Sequence, residues 1–270
     1  MKLLVVEMRR ALHRRAVRVL ILVAILGSML AGAIAFATSA GKSVAEIRGE
    51  ETHPAVLADW WIAGGGDGML GVAFFFLLLG GLFGGATVAG AEWRFGTITS
   101  VLTWEPRRLR VHGARCASAG LLAFAISFLL QVLFLAAFLP AVFVNGTAAG
   151  TDVHWWIALV GAVARVSLLT AVAAVLAVAL ATLGRNTAFA LITVFAWVAV
   201  VENLVRALKP TFQPWLWGEN LFIVFTWAQL EGEEFTRSPS LALATLLVYT
   251  GIIVAAGAAA FHRRDVAAAT

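Results

Sequence analysis

The chain reads as an all-α polytopic membrane protein with six transmembrane helices, and three observations predict that class. Hydrophobic residues make up 61% of the chain and charged residues only 13%, with a mean hydropathy of +0.91, far from the balance of a water-soluble domain. Six stretches come close to or exceed the roughly 20 apolar residues that a helix needs to cross a bilayer. These stretches are continuous, whereas barrel strands would alternate over roughly ten residues. The spans fall at 17–38, 68–91, 116–139, 155–183, 187–201 and 241–261. The fifth is short and has room to run past Glu202 toward Leu208.

Orientation follows from the basic residues, because cytoplasmic loops retain positive charge. One set of segments holds Lys2, Arg9, Arg10, Arg14, Arg15 and Arg18, then Arg94, Arg107, Arg108, Arg110 and Arg115, then Arg185, then Arg263 and Arg264. The other set holds Lys42, Arg48, Arg206, Lys209 and Arg237 with most of the acids, including Glu231, Glu233 and Glu234. Both termini are therefore expected in the cytoplasm. Topology accounts for the pI of about 10.3, so the basic balance does not argue for a nucleic-acid partner. Ala35-Phe36-Ala37 has the form of a signal-peptidase site, but the basic leader before the first span is long for a signal peptide, and the span is read as retained. Cys116 is the only cysteine and forms no internal disulfide.

The whole chain, 1–270, reads as a single transmembrane domain with three appended segments. Residues 1–16 alternate Leu3, Leu4, Val6, Met8 and Leu12 with Arg9, Arg10, Arg14 and Arg15, the pattern of an interfacial amphipathic helix. Residues 39–67 form an outer loop that closes on Trp60-Trp61, expected at headgroup level. Gly64-Gly65-Gly66-Asp67-Gly68 follows, read as a hinge because no Lys-Ser/Thr follows to make a phosphate loop. Residues 206–240 combine Pro210, Pro214 and Pro239 with Trp215, Trp217, Phe222, Phe225 and Trp227. That mixture predicts an extracytoplasmic or re-entrant hairpin before the last span, since irregular backbone at membrane depth needs protein or water beside it.

Several chemistries find no residues. All five histidines, His13, His53, His112, His154 and His262, lie outside the apolar spans, which argues against membrane haem, and no clustered ligands suggest a metal site. Ser127 and Ser167 have no histidine at depth to activate them. Arg165 is the one ionisable group well inside a span. It is read either as functional, a contact for an anionic substrate group or a buried pair with Glu202, or as a side chain that snorkels or faces the helix bundle with a carbonyl partner. An embedded enzyme would need Arg165, Glu202 and His154 to converge. No Gly-x-x-x-x-Gly-Lys-Ser/Thr is present, so any ATP and magnesium would belong to another chain.

The segment Glu92-Trp93-Arg94-Phe95-Gly96-Thr97-Ile98, followed by Val101, Leu102-Thr103 and Pro106-Arg107-Arg108, interrupts the apolar runs between spans two and three. Phe95, Ile98, Val101 and Leu102 recur at helical spacing, with Trp93 widening the face and Glu92 and Arg94 flanking it. Such a face suits a groove on a water-side partner, helix in groove. The segment resembles the "Glu, Gly-Thr-Leu, Leu-Thr-x-Pro-x-x-Arg" stretch of ABC-2 type permeases, the membrane subunits of ABC exporters. Ile98 stands where Leu is commoner, and Glu105-Pro106 replaces a small apolar pair. The ending Phe261-x-Arg263-Arg264-Asp265-Val266 is similar to the family's as well.

The resemblance implies a plasma-membrane permease that pairs with a second permease subunit, a further copy or a similar chain. It also implies two cytoplasmic ATPase subunits carrying ATP and magnesium, and a coupling segment at 92–115. It implies a path along spans two and five for a hydrophobic or amphipathic drug or lipid, with Phe74, Phe75, Phe76, Phe189, Phe195 and Trp197 as candidate lining. A non-transporting anchor or sensor subunit is the alternative. Gly80, Gly81, Gly84 and Gly85 on span two are read as a close-packing stripe.

Overall fold

A computed structural model describes residues 2–50, 52–61, 68–228, 230–231 and 236–263. Gly64 to Asp67 of the expected hinge, the acids Glu233 and Glu234, and the ending Arg264-Asp265-Val266 lie outside them. In chain order the helices are α1 (Lys2–Leu12), α2 (Arg15–Ser39), α3 (Val44–Arg48), α4 (Met69–Arg94), α5 (Ile98–Trp104) and α6 (Arg108–Pro140). They continue with α7 (Val153–Gly184), α8 (Thr187–Ala196), α9 (Asn203–Leu208), α10 (Trp217–Thr226) and α11 (Pro239–Arg263). Six helical stretches among the described residues are long and apolar enough to cross a membrane: Arg15–Ser39, Met69–Arg94, Arg108–Asn145, Val153–Gly184, Thr187–Leu208 and Pro239–Arg263. The protein is thus an all-α, multi-pass membrane protein.

The fifth span takes the longer of its two expected forms, because a π-helical segment, Trp197–Glu202, carries α8 into α9. The third begins earlier than expected: Arg108 to Arg115 form the first turns of α6, not a loop. Long Arg stems cover apolar surface there while their heads reach the bundle end.

Helix α7 is the hub, mostly buried from Leu159 to Thr182 between α4, α6 and α11. Its sequence explains why: Ala and Val fill every face from Ala171 to Ala181, leaving no polar stripe to keep outside. Asp152 caps it by accepting the Trp155 backbone N–H at 2.7 Å. Helix α4 crosses α7 through half of its glycine stripe. A Cβ on Gly81 would lie 2.7 Å from the Thr170 carbonyl oxygen, and one on Gly85 would lie 2.2 Å from that of Ala174. Gly80 and Gly84 do not share this role, since a Cβ on either meets nothing within 4 Å.

The expected headgroup anchors Trp60 and Trp61 instead turn inward, at 2% and 5% exposure. Trp60 packs edge-on to Phe138 and donates to the Pro54 carbonyl at 2.9 Å, while Trp61 meets Phe225. The 39–61 loop is therefore folded against α6 with its own small core around Ile47, Leu57 and Trp60. A capping box between Ser43 and Glu46 starts α3.

The segment after α9 continues as a turn and a short helix. A 3-10 turn, Pro210–Trp215, leads into α10, which packs on α11 and α7. The two-residue strands β1 (Leu230–Glu231) and β2 (Thr236–Arg237) pair antiparallel before α11. Glu202, fully buried, holds this segment to the bundle by accepting the Gly218 N–H at 3.0 Å and the Trp197 indole N–H at 3.1 Å. Arg206 sits 3.6 Å away. Glu202→Leu strands both donors, so a loss of about 1–3 kcal/mol is expected, read as a lower melting temperature and earlier proteolysis within 203–227.

Candidate functional site

The ends of α1, α4, α6, α7 and α11 gather at the bundle end where the basic residues lie, around the turn that carries α5. Helix α4 stops at Arg94 because Gly96 takes a left-handed conformation, φ 66°, that a side chain resists. Helix α5 ends where Glu105 precedes Pro106 and turns extended. The Glu105 carboxylate then accepts the Arg107 N–H at 3.3 Å and pairs with Arg110 at 3.4 Å. Glu92 to Arg94 therefore belong to α4 and Arg108 to Arg115 to α6, and the connecting element is only 95–107.

This break divides the single apolar face expected from the sequence. Ile98, at 3% exposure, turns inward onto Val111 and Phe261, with Trp93, Val101 and Leu102 packed around them. Trp93 meets Phe261 edge-on at 6.1 Å and lies under the Arg185 guanidinium at 4.9 Å. Phe95 points the other way and is 71% exposed. The Arg94 guanidinium lies 5.8 Å from its ring, and Thr97, Pro106 and Arg107 are exposed as well, with Gly96 half-buried. Trp104, which periodicity did not single out, is 90% exposed and is the most exposed large apolar side chain among the described residues.

Glu92 does not flank that surface, as spacing suggested, but lies beneath it at 2% exposure. Its carboxylate meets Arg10 at 3.1 Å, Arg14 at 3.1 Å and Arg115, which is itself 1% exposed. Arg10 also pairs with Glu7 at 3.0 Å. Arg14 reaches further, donating to the carbonyls of Thr87 at 2.8 Å and Val88 at 3.0 Å. Burial pulls the Arg14 guanidinium below its ordinary value, and the Glu92 charge opposes that shift. One carboxylate thus ties the amphipathic α1 to α4 and α6, so the α5 turn rests on three helices. Arg10, Arg14 and Arg115 were legible only as topology markers, because nothing in their spacing names a carboxylate 78 residues away from Arg14.

The candidate path residues do not come together within one chain. Phe74 stacks on Phe225, centroids 4.5 Å apart. Phe75 and Phe76 on α4, Phe189 and Phe195 on α8, and Trp197 are all exposed on the outer surface of the bundle. Arg165 donates to the Phe225 carbonyl at 3.2 Å and lies 5.5 Å from each of the Trp61 and Trp227 rings. That is its bundle-facing reading, with a carbonyl partner and not Glu202. Glu202 sits against the Gly218 backbone and His154 is exposed, so these two and Arg165 form no common site. Among the described residues no group of three metal-ligating side chains occurs. A cavity of about 580 Å³ does exist, between α2, α4 and α6, and of the path candidates only Phe76 lines it.

No protein-family model matches this chain, and no curated protein sequence matches it.

Proposed function

We propose that the chain is the permease subunit of an ATP-driven exporter of the ABC-2 type, docked on a separate cytoplasmic ATPase through the 95–107 turn. The observation that carries this reading is the exposed Phe95 and Trp104 pair, set on a turn whose underside is held by Ile98, Trp93 and the Glu92 arginine cluster. Exposed aromatics on a water-side turn cost solvation unless a partner covers them, and aromatic and Arg side chains are what anchor interfaces. Arg94 and Arg107 border the pair and suit an acidic rim.

In this reading the basic bundle end and both termini are cytoplasmic, the protein resides in the plasma membrane, and the 206–240 segment lies on the far side. ATP-driven closure of the partner pushes the turn, and the Glu92 clamp transmits the push to α1, α4 and α6 together. Two permease subunits meet across Phe75 of α4 and the exposed aromatics of the fifth span, placing Phe75, Phe189, Phe195 and Trp197 beside a shared path for a hydrophobic or amphipathic substrate.

The test is purification of the tagged chain in mild detergent, with co-purifying proteins identified and ATP hydrolysis assayed. A stoichiometric ATPase is expected, lost on Phe95→Asp with Trp104→Asp, while the melting temperature of the permease stays within about 0.5 kcal/mol equivalent because both residues are exposed. An ATPase-free, well-folded chain, or an ATPase retained by the double variant, overturns the docking assignment; the first result favours an anchor or sensor subunit.

A further inference from the structure

We infer that the cavity between α2, α4 and α6 is a membrane-facing binding site for a hydrophobic molecule that carries one hydroxyl or amide N–H donor. Its volume of about 580 Å³ falls in the range of small-ligand pockets, roughly 300–1,000 Å³. Val23, Val72, Phe76 and Phe83 among its lining are exposed apolar side chains on membrane-spanning helices, which makes the bilayer the expected route of entry.

The floor supplies the specificity. Gln131 lines the cavity at 0% exposure, and its amide nitrogen donates to the Val163 carbonyl at 3.2 Å and the Ser167 hydroxyl at 3.0 Å. A carbonyl partner fixes which end of the amide is nitrogen, leaving Oε1 as the acceptor. Oε1 has no partner and is closed off beneath the cavity floor, so a donor in the cavity reaches it through a small shift of the Gln131 side chain. The neighbouring hydroxyls have no proton to spare: Ser167 donates to Val163, Thr170 to Val166, and Ser127 to Thr170. A buried acceptor left unpaired is costly, and a ligand that donates to it recovers that cost. Bulk acyl chains fill volume but donate nothing, so they are poor occupants. The two glycines that the α4–α7 crossing does not use, Gly80 and Gly84, line this cavity with open space where a side chain would stand. This inference is independent of the exporter reading, since binding needs neither an ATPase nor transport.

The test uses the full chain in lipid nanodiscs, photolabelled with dodecanol bearing a mid-chain diazirine and, separately, with the methyl ether of the same compound. Labelled peptides are mapped by mass spectrometry. The alcohol is expected to label α2 and α4 about three- to tenfold more than the ether, the advantage of one hydrogen bond, and unlabelled dodecanol should compete. Gly84→Leu should abolish labelling by both probes there. Gln131→Met should bring the alcohol down to the level of the ether. Equal labelling by alcohol and ether in the unaltered chain points to bulk lipid alone and overturns the inference, as does labelling that survives Gly84→Leu. Those two readouts decide the matter even if Gln131→Met fails to fold.

Discussion

Glu92→Ala is expected to destabilise the chain by about 3–5 kcal/mol, the cost of breaking a buried ion pair and leaving its cations uncompensated. Arg115, at 1% exposure, has no other carboxylate at hand among the described residues, and Arg14 is only partly solvated. The loss is to be read as a drop in melting temperature of the detergent-solubilised chain by fluorescence-detected size exclusion. Glu92→Gln should recover part of it, because an amide still accepts from guanidinium groups but carries no charge. Arg10→Ala should cost much less, since Arg10 is about one-third exposed and its pairing is screened. A Glu92→Ala chain with an unchanged melting temperature contradicts the clamp. The same physics makes Glu92 a poor probe of partner docking, for which Phe95 and Trp104 are the informative positions.

The second large effect separates two glycines one residue apart. Gly85→Ala would place a methyl 2.2 Å from the Ala174 carbonyl oxygen, a backbone atom that cannot rotate away. Forcing α4 and α7 apart at their closest crossing is expected to cost about 3 kcal/mol or more, the upper end of overpacking penalties. Gly84→Ala meets only open space and is expected to be neutral or to stabilise by up to about 1 kcal/mol through helix propensity. Expression level and thermal stability of the two variants, compared side by side, check the pair. Equal behaviour would contradict the close approach of α4 and α7 at Gly85.

Much of the bundle was legible because the bilayer imposes a simple rule: an apolar run of sufficient length must be a helix. That rule placed all six spans, and their errors fell at the ends. The third span began late in the sequence reading because Arg108 to Arg115 are charged, yet arginine stems pack well on a helix and their heads can be neutralised. The inward turn of Trp60 and Trp61 is hidden from sequence for a related reason. Tryptophan is as much at home in an aromatic core as at an interface, and sequence offers no way to see Phe138 or Phe225 beside it.

The candidate site shows the same division. Periodicity over 95–102 suggests one apolar face, but Gly96 resets the helical phase with one left-handed residue, so Ile98 lies inward and Phe95 outward. Trp104 stood outside that window and was missed. The sequence presents the glycine stripe as one packing device, whereas all four glycines border the cavity and only Gly81 and Gly85 also meet the α7 backbone.

By itself the sequence determined that this chain is a six-helix membrane bundle and that its basic residues mark one end, because hydropathy and charge act locally, residue by residue, on where each segment can lie. Tertiary structure alone decided that Glu92 meets Arg10, Arg14 and Arg115, that Glu202 accepts from the Gly218 backbone, and that Gln131, lining a cavity, keeps an unpaired oxygen. Those are contacts between groups far apart in the chain or on different helices. Their worth depends on burial and on a partner's position, neither of which any local pattern encodes.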